Sequence, residues 1–345
     1  MQAQDILSLS FENLKDICIG FGEKSFRAKQ IYEWLWSKKA RSFDEMTNVP
    51  LPLRNKLQEF FFFQSVTVAD VQTSVDRTQK FLFKLKDGNY VEGVLIPSKN
   101  RVTACISSQV GCGLACSFCA TASMGFVRNL TVGEITDQLF EIEKISLRDF
   151  SIPVSNVVYM GMGEPLQNYN PVMESIQRIT DPKGHAMSPT RITLSTSGLV
   201  KFIKKLADDN FSCNLAVSLH FPDNERRERY MPVNKANNLE LLSEALQYFH
   251  QKTQSRITIE YALLQGVNDS LNDASSLAQF TKQFPVKINI IEYNPLPDSV
   301  FKPSSVERQE GFVEFLEKLN LIVHVRNSKG KDVFAACGQL AKKNN

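Results

Sequence analysis

Three cysteines lie within eight residues of this 345-residue chain, at Cys112, Cys116 and Cys119. Their C-x3-C-x2-C spacing allows three thiolates to hold three irons of a four-iron, four-sulfur cluster. The fourth iron then has no protein ligand, whereas a protein that only carries electrons would normally supply a fourth cysteine. The spacing therefore predicts a [4Fe-4S] cluster with one iron open to a small molecule.

The open iron determines the chemistry that such a cluster can perform. It can chelate the amino and carboxylate groups of S-adenosylmethionine, and an electron passed into the sulfonium then releases a 5′-deoxyadenosyl radical. The surrounding residues suit this use, because Gly111 and Gly113 let the backbone wrap closely and Phe118 forms an apolar wall that limits solvent. The pattern therefore predicts a radical S-adenosylmethionine enzyme.

A structural zinc ion is the alternative, and it would make the chain a zinc-containing RNA-binding protein. Structural zinc usually takes four ligands as two separated pairs. Here the fourth ligand would have to come from far along the chain. The cysteine spacing therefore favours the cluster over zinc.

Four short polar motifs follow predicted strands. In parallel α/β folds, ligands bind at the carboxyl ends of strands, so these motifs are expected to form one ligand-binding site at that end of the sheet. Glu164 can accept a hydrogen bond from an ammonium group, and Ser195, Ser218 and Asn294 can bond a ribose or a carboxylate. Each motif alone is typical of a turn or cap. The motifs are GMGEP (161–165), STSG (195–198), SLH (218–220) and NPLP (294–297).

The elements that must position these motifs begin near residue 102, where strands start to alternate with helices. This alternation predicts an α/β fold with a parallel sheet of six strands, either an incomplete barrel or a doubly wound sheet. Thr131 and Glu134 form a capping box that predicts a helix with Ile135 and Leu139 on its apolar face. The predicted strands are VTACIS, NVVYM, RITL, NLAVSL, RITIEYALL and KINIIEY.

The chain before residue 102 has a different pattern. Residues 1–65 are predicted to form a small helical accessory domain that binds RNA, with an amphipathic pattern in KSFRAKQIYEWLWSKK. Residues 66–101 alternate like short strands and are predicted to form a linker region. Residues 102–345 then form the main domain and end in a segment that carries Cys337.

Five motifs closely resemble those of the RlmN family of RNA methyltransferases, and the resemblance spans about residues 10–341. It implies an incomplete (β/α)6 barrel of the radical S-adenosylmethionine type with a small N-terminal helical domain. It also implies a [4Fe-4S] cluster and two molecules of S-adenosylmethionine per turnover. The motifs are SSQVGC (107–112), GFVRNL (125–130), GMGEP (161–165), LSTSG (194–198) and AACGQL (335–340).

The resemblance implies a substrate, a product and a set of cofactor contacts. The chain is expected to methylate carbon 2 of an adenine in 23S rRNA, and an adenine beside the anticodon of tRNA. An electron donor of the flavodoxin or ferredoxin type is expected as a partner. The implied contacts with S-adenosylmethionine are Gly163, Glu164, Ser195, Ser218, Leu219, His220 and Asn294.

Two further cysteines take catalytic roles through the resemblance. Carbon 2 of adenine is electrophilic and cannot attack a methyl sulfonium, so Cys337 first takes the methyl group as a thiolate and then delivers it as a radical. Cys105 would release the product by attacking the sulfur of Cys337, which leaves a disulfide bond. From the residues alone, Cys337 is an incidental terminal cysteine and Cys105 is a core residue. Glu92 matches the family's proton acceptor, and Cys105 itself stays open as the base.

A related family methylates carbon 8 of the same adenine and confers antibiotic resistance on the ribosome. It shares the cluster and the cysteine pair, so the motifs discriminate poorly between the two products. The residues alone also leave open whether tRNA is used as well as ribosomal RNA.

Composition and charge add weaker expectations about partners. The net charge of +3 permits a nucleic-acid partner without requiring one. No apolar run reaches the length of a membrane helix, and the N-terminal residues lack the layout of a secretory signal, so a cytoplasmic location is expected. A monomer is expected as well. Cations can neutralise phosphates, and Trp34 and Trp36 among them can stack on bases. These cations are Lys24, Arg27, Lys29, Lys38, Lys39 and Arg41, with Arg226, Arg227 and Arg229 further on.

Overall fold

The computed structural model describes residues 4–63, 66–297 and 299–341. A helical region comes first, and two short strands that pair in parallel bring its two ends together. Its helices begin with local signals, since the Ser10 side chain accepts a hydrogen bond from the Asn13 backbone and Pro50 precedes the third helix. Its elements are β1 (Gln4–Asp5), α1 (Phe11–Gly20), α2 (Phe26–Trp36), α3 (Leu51–Phe60) and β2 (Phe61–Phe62).

Strands and helices then alternate along the rest of the chain. The strands are β3 (Thr67–Thr73), β4 (Gln79–Lys84), β5 (Tyr90–Ser98), β6 (Arg101–Cys105), β7 (Gln109–Gly111), β8 (Phe126–Asn129), β9 (Asn156–Tyr159), β10 (Ile192–Thr196), β11 (Asn214–Ser218), β12 (Ile257–Leu263), β13 (Val286–Glu292) and β14 (Ile322–Arg326). The helices are α4 (Ala120–Ser123), α5 (Val132–Phe150), α6 (Tyr169–Thr180), α7 (Val200–Asp208), α8 (Asn224–Tyr230), α9 (Leu239–Thr253), α10 (Leu271–Thr281) and α11 (Val306–Lys318).

Ten of these strands form one mixed sheet in the order β14-β13-β12-β11-β10-β9-β6-β5-β4-β3. From β6 to β14 the neighbouring strands are parallel, whereas β3, β4, β5 and β6 pair in an antiparallel manner. Each crossover between parallel strands contains at least one helix, as parallel pairing requires. Because β14 and β3 form the two edges, the described sheet is an open, incomplete (β/α)6 barrel rather than a closed one.

The predicted α/β class and all six predicted parallel strands are confirmed. The sequence analysis missed the seventh parallel strand, β14, whose residues are mostly exposed or half-buried. Alternation of buried and exposed apolar residues is weak in IVHVR, so the periodicity signal is weak there as well. This strand matters for the site, because it ends at Arg326.

The predicted helix after Thr131 is confirmed as α5, with both hydrogen bonds of its capping box present. Ile135 and Leu139 are fully buried and face the sheet, as their spacing predicts. Glu134 also forms an ion pair with Arg128 at 2.8 Å, which ties the start of this helix to β8. The helix therefore packs under the strands that precede the cysteine loop.

The N-terminal helices are attached to the barrel by buried polar contacts. Arg41 forms an ion pair with Asp137 on α5, and Lys39 forms one with Glu143 on the same helix. From α6, the Arg178 guanidinium lies 5.5 Å from the Trp36 ring centroid. Removing one partner of either ion pair would leave a buried carboxylate without its counter-charge, which is costly. The ion pairs therefore fix the helical region against the barrel.

The predicted division at residues 65 and 101 stays a proposal. Residues 64–65 lie outside the described part of the chain. The strands of 66–101 are hydrogen-bonded into the same sheet as the barrel, since Val94 on β5 pairs with Cys105 on β6. Among the described residues, no helix is long and apolar enough to cross a membrane.

Candidate active site

The loop that carries the three cysteines is folded tightly against the β7–β8 hairpin. Gly111 has a φ of +71°, and a Cβ placed there would lie 1.8 Å from the carbonyl oxygen of Gly125. The next backbone N–H, that of Cys112, donates to this same oxygen at 2.9 Å. The close approach therefore requires glycine at position 111, for steric and conformational reasons together.

The three thiols of this loop fit the predicted cluster. Burial raises the pKa of Cys112 to about 11 and also raises the pKa of Cys116, and a negative charge on Cys119 raises both further. Thiols in such surroundings become thiolates only when cationic metal binds them. In the described residues, no set of three His, Cys, Asp or Glu side chains converges on a single-ion site. Three soft sulfur donors suit iron, with each thiolate on a different iron of the cluster.

A cavity lies beside this loop at the carboxyl ends of the parallel strands. Three groups of predicted residues meet in it: two cluster cysteines, six of the seven predicted cofactor contacts, and the methyl-carrying cysteine. Leu219 and Cys112 do not line it; Leu219 is fully buried, and its N–H donates to the carbonyl oxygen of Glu260. The predicted residues in the lining are Cys116, Cys119, Gly163, Glu164, Ser195, Ser218, His220, Asn294 and Cys337.

Glu164 is held in this cavity by backbone groups of two neighbouring loops. Its carboxylate accepts hydrogen bonds from the N–H of Leu166 at 3.1 Å and of Ser197 at 2.8 Å. Burial raises its pKa, while these hydrogen bonds lower it. Gly163 has a φ of +97°, and a Cβ there would lie 2.5 Å from the Gln109 side chain. The carboxylate is therefore fixed in place and can accept a further hydrogen bond from an ammonium group.

His220 lines the same cavity as a neutral ring. Burial lowers its pKa to about 3, with the charge of Arg227 acting in the same direction. Its Nδ1 accepts a hydrogen bond from the Ala262 N–H at 3.0 Å, so the neutral ring carries its proton on Nε2. The ring of Phe118 packs edge-on against it with centroids 5.2 Å apart. His220 is therefore a hydrogen-bond donor to the cavity rather than a cation.

Cys337 connects this cavity to a second one, which is lined by Cys105. Both cysteines are free thiols in the structure, so the implied disulfide is not formed in this state. Burial raises the pKa of Cys105 to about 12, and a negative charge on Cys337 raises it further. The structure therefore brings the two cysteines together beside the cavity of the cluster loop.

An ion pair beside Cys337, with a buried carboxylate and a half-buried guanidinium, was not predicted from the sequence. Arg326 lines both cavities and contacts the Glu260 carboxylate at 3.4 Å, and Asn289 donates to the same carboxylate at 2.8 Å. These three residues lie on the adjacent strands β14, β12 and β13. Desolvation by the surrounding protein raises the pKa of Cys337, and the positive charge of Arg326 lowers it. A glutamate inside the otherwise apolar run ITIEYAL was the available signal.

Replacing Arg326 by methionine is expected to shift the pH dependence of Cys337 alkylation to higher pH. Loss of the positive charge raises the pKa of the Cys337 thiol further, and the thiolate is the reactive form. Iodoacetamide labelling of Cys337, followed by peptide mass spectrometry between about pH 7 and pH 10, measures this shift. Arg326→Lys keeps the charge and is the matched control. An unchanged profile in Arg326→Met would show that this charge does not influence Cys337.

Glu92 lies apart from the two cavities that Cys337 lines. It is buried on β5, forms an ion pair with Lys80 at 3.4 Å and faces a third cavity beside Gln339 and Ala341. Burial raises its pKa, whereas Lys80 lowers it. Its role as proton acceptor stays a prediction.

Several of the residues predicted to contact RNA are instead buried or bound to other residues of the protein. Trp36 is fully buried, so the expectation that its ring stacks on a base is wrong. Arg227 is also fully buried, and its guanidinium donates to the carbonyl oxygen of Ser197 at 2.6 Å. Lys39 and Arg41 are bound to acids of α5. Periodicity does not distinguish a helix face that packs on a second domain from a solvated one. The exposed members of the set are Lys24, Lys29, Lys38 and Arg229.

Comparison with known proteins agrees with the fold and the cysteine loop. Residues 106–277 match the sequence model of the radical SAM superfamily. A solved structure of a radical SAM methyltransferase from Sphaerobacter thermophilus is 38% identical, with a TM-score of 0.93. It covers 98% of this chain and 99% of that one. The chain has the fold of a radical SAM methyltransferase, a class of enzyme that uses a [4Fe-4S] cluster and S-adenosylmethionine as cofactors.

The N-terminal region and the full-length relatives specify the family. Residues 4–62 match the model of the ribosomal RNA large subunit methyltransferase N-terminal domain. The probable dual-specificity RNA methyltransferase RlmN of Christiangramia forsetii is 50% identical, over 99% of this chain and 97% of that protein. The dual-specificity RNA methyltransferase RlmN of Campylobacter hominis is 41% identical, over 99% and 98%. The chain belongs to the RlmN family.

Proposed function

We propose that this enzyme methylates carbon 2 of an adenine in 23S rRNA, and of an adenine beside the anticodon in tRNA. The observation that carries the proposal is the place of Cys337, which lines both the cavity of the cofactor motifs and the cavity of Cys105. One thiol can therefore meet a methyl donor on one side and an acceptor base on the other. An enzyme that transferred a methyl group directly from donor to base would not need a second thiol there.

The residues of the first cavity suit S-adenosylmethionine. Glu164 would accept from its ammonium group, while Ser195, Ser218 and Asn294 would bind its ribose and carboxylate. Gly163 allows close approach, neutral His220 would donate from Nε2, and Leu219 would contribute its backbone. Cys112, Cys116 and Cys119 would hold a [4Fe-4S] cluster, which would supply the electron for reductive cleavage of S-adenosylmethionine.

Cys337 would carry the methyl group to the base, and Cys105 would release the methylated product. The Cys337 thiolate takes a methyl group from one S-adenosylmethionine, and the methyl loses a hydrogen atom and adds to carbon 2 of the base. A base then removes the carbon 2 proton, with Glu92 and Cys105 as the two candidates, and the unpaired electron of the adduct would pass to a one-electron acceptor such as the oxidised iron–sulfur cluster. The Cys105 thiolate attacks the Cys337 sulfur, the bond from sulfur to carbon breaks, and the released carbon takes a proton to become the product methyl group. The disulfide left behind needs a reductant before the next turnover.

Several features of the substrate and setting follow from this proposal. The target adenine must leave its stack to bring carbon 2 to the Cys337 thiol in its cavity, so a loop or a flipped nucleotide is the expected substrate. The exposed cations of the N-terminal region would contact RNA phosphates. A flavodoxin or ferredoxin type of protein would supply electrons, and the enzyme would act as a monomer in the cytoplasm.

Incubation of the enzyme with unmodified 23S rRNA and tRNA is expected to produce 2-methyladenosine in both. Nucleoside mass spectrometry against authentic 2-methyl and 8-methyl standards measures the product. RNA from a deletion strain serves as substrate, and the enzyme without a reductant is the control. Detection of the 8-methyl isomer alone would assign the chain to the carbon 8 reaction, and product in only one RNA would restrict its specificity.

A further inference from the structure

The segment that carries Cys337 is held on one side by the helix that follows the cluster cysteines. The Ala120 N–H donates to the carbonyl oxygen of Gly338 at 2.8 Å. The hydroxyl of Thr121 donates to the carbonyl oxygen of Leu340 at 2.6 Å, and the Thr121 side chain is buried. Two successive residues of α4 therefore donate hydrogen bonds to the backbone directly after Cys337.

Gln339 holds the same segment on its other side. Its Oε1 accepts from the Ala336 N–H at 3.3 Å, which closes the turn around Cys337. Its Nε2 donates to the carbonyl oxygen of Pro295 at 3.2 Å. Pro295 follows Asn294, which lines the cofactor cavity, so this side chain ties the turn to a cofactor motif. Gln339 is 7% exposed, and a buried amide that lost a partner would not regain it from water.

The start of this segment is held by a separate pair of hydrogen bonds. Asp332 accepts hydrogen bonds from the Ser74 hydroxyl at 2.5 Å and from the Val75 N–H at 3.1 Å, both in the turn between β3 and β4. These contacts hold the segment five residues before Cys337, too far along the chain to orient its thiol. The contacts nearest to Cys337 from other parts of the fold come from α4 and through the Gln339 side chain.

We propose that Thr121 and Gln339 are positioning residues that hold the Cys337 thiol between the cofactor cavity and the cavity of Cys105. This inference rests on the proposed role of Cys337 as the methyl carrier. The carrier must meet a sulfonium methyl, a radical and a base in turn. A displacement of about 1 Å can cost about a hundredfold in rate. Thr121 and Gln339 restrict that displacement from two directions.

Two substitutions of nearly unchanged shape remove one hydrogen bond each. Thr121→Val loses the hydroxyl that donates to Leu340. Gln339→Glu keeps the acceptor for Ala336 but places a carboxylate oxygen against the carbonyl of Pro295. Each variant is expected to keep the iron content of the wild type and its reductive cleavage of S-adenosylmethionine. Methylation of RNA is expected to fall about tenfold or more, because the methyl group is misplaced relative to the radical.

The decisive readout is the ratio of 5′-deoxyadenosine formed to adenine methylated, which is expected to rise about tenfold or more in both variants. Thr121→Ser restores the donor and should return the ratio to that of the wild type. Thr180→Val is the matched control, since the Thr180 hydroxyl bonds only within α6, to the carbonyl oxygens of Ile176 and Gln177.

Three results would contradict either the positioning role or the carrier role of Cys337 on which it rests. An unchanged ratio in Thr121→Val and Gln339→Glu would overturn the positioning role. A fall of iron content, cofactor cleavage and methylation in parallel would also overturn it, because it would show a role in folding alone. Absence of S-methylcysteine at position 337 in the active wild-type enzyme would instead refute the carrier role of Cys337, and that failure is distinguishable because it needs no variant.

Discussion

The Cys105→Ala variant is expected to become covalently joined to its RNA substrate through Cys337. Cys337 can still be methylated and can still add to the base, because it lines the cofactor cavity independently of Cys105. The bond from its sulfur to the added carbon then has no thiol to release it. Turnover is therefore expected to fall by about a thousandfold or more, as when a covalent catalyst loses a required partner.

The adduct is measured on a denaturing gel with labelled RNA and located by peptide mass spectrometry. Cys337→Ala should form no adduct and no methylated RNA, while it keeps its cluster because Cys337 is not a ligand. Cys213→Ala is the matched control, since Cys213 is a buried cysteine directly before β11, at the opposite end of that strand from Ser218, and it lines neither cavity. Normal turnover by Cys105→Ala, or an adduct through another residue, would refute the roles proposed for both cysteines.

Replacement of any one of Cys112, Cys116 and Cys119 by alanine is expected to abolish both the cluster and the cleavage of S-adenosylmethionine. Three protein thiolates are the fewest that hold a cluster with one open iron, and two would leave a second iron without a protein ligand. Methylation of RNA should consequently fall below detection.

Iron and sulfide analysis after anaerobic reconstitution measures the first effect, with about four irons per chain expected for the wild type. Chromatography of 5′-deoxyadenosine measures the second effect. Cys18→Ala is the control here, because Cys18 is buried in the N-terminal helix α1. A triple alanine variant that still formed 5′-deoxyadenosine would refute the assignment of these cysteines, and a colourless protein with zinc would support the zinc alternative.

The sequence was informative where chemistry depends on local spacing. The cysteine loop lies within eight residues, and its tight turn at Gly111 is a property of the local backbone. The capping box at Thr131 and the spacing of apolar residues in the six predicted strands also depend on residues only a few positions apart. The convergence of the four polar motifs was also predictable, because parallel strands have their carboxyl ends on one edge.

Contacts between distant segments could not be read from such patterns. Glu260, Asn289 and Arg326 meet only because β12, β13 and β14 are neighbours in the sheet, and β14 has a weak periodicity. Trp36 is buried because Arg178 and the barrel helices cover it, although its position among basic residues favoured an exposed ring. In each case a partner far along the chain determines the environment of the side chain.

By itself, then, the sequence determined the type of cluster motif, the class of sheet and the family motifs, since each depends on residues a few positions apart. Only the tertiary structure decided which side chains share a cavity. It placed Cys337 between the cofactor motifs and Cys105, and it placed Glu92 in a different cavity beside Lys80. The physical reason is that such placements depend on how separate segments of the chain pack together, for which local periodicity carries no information.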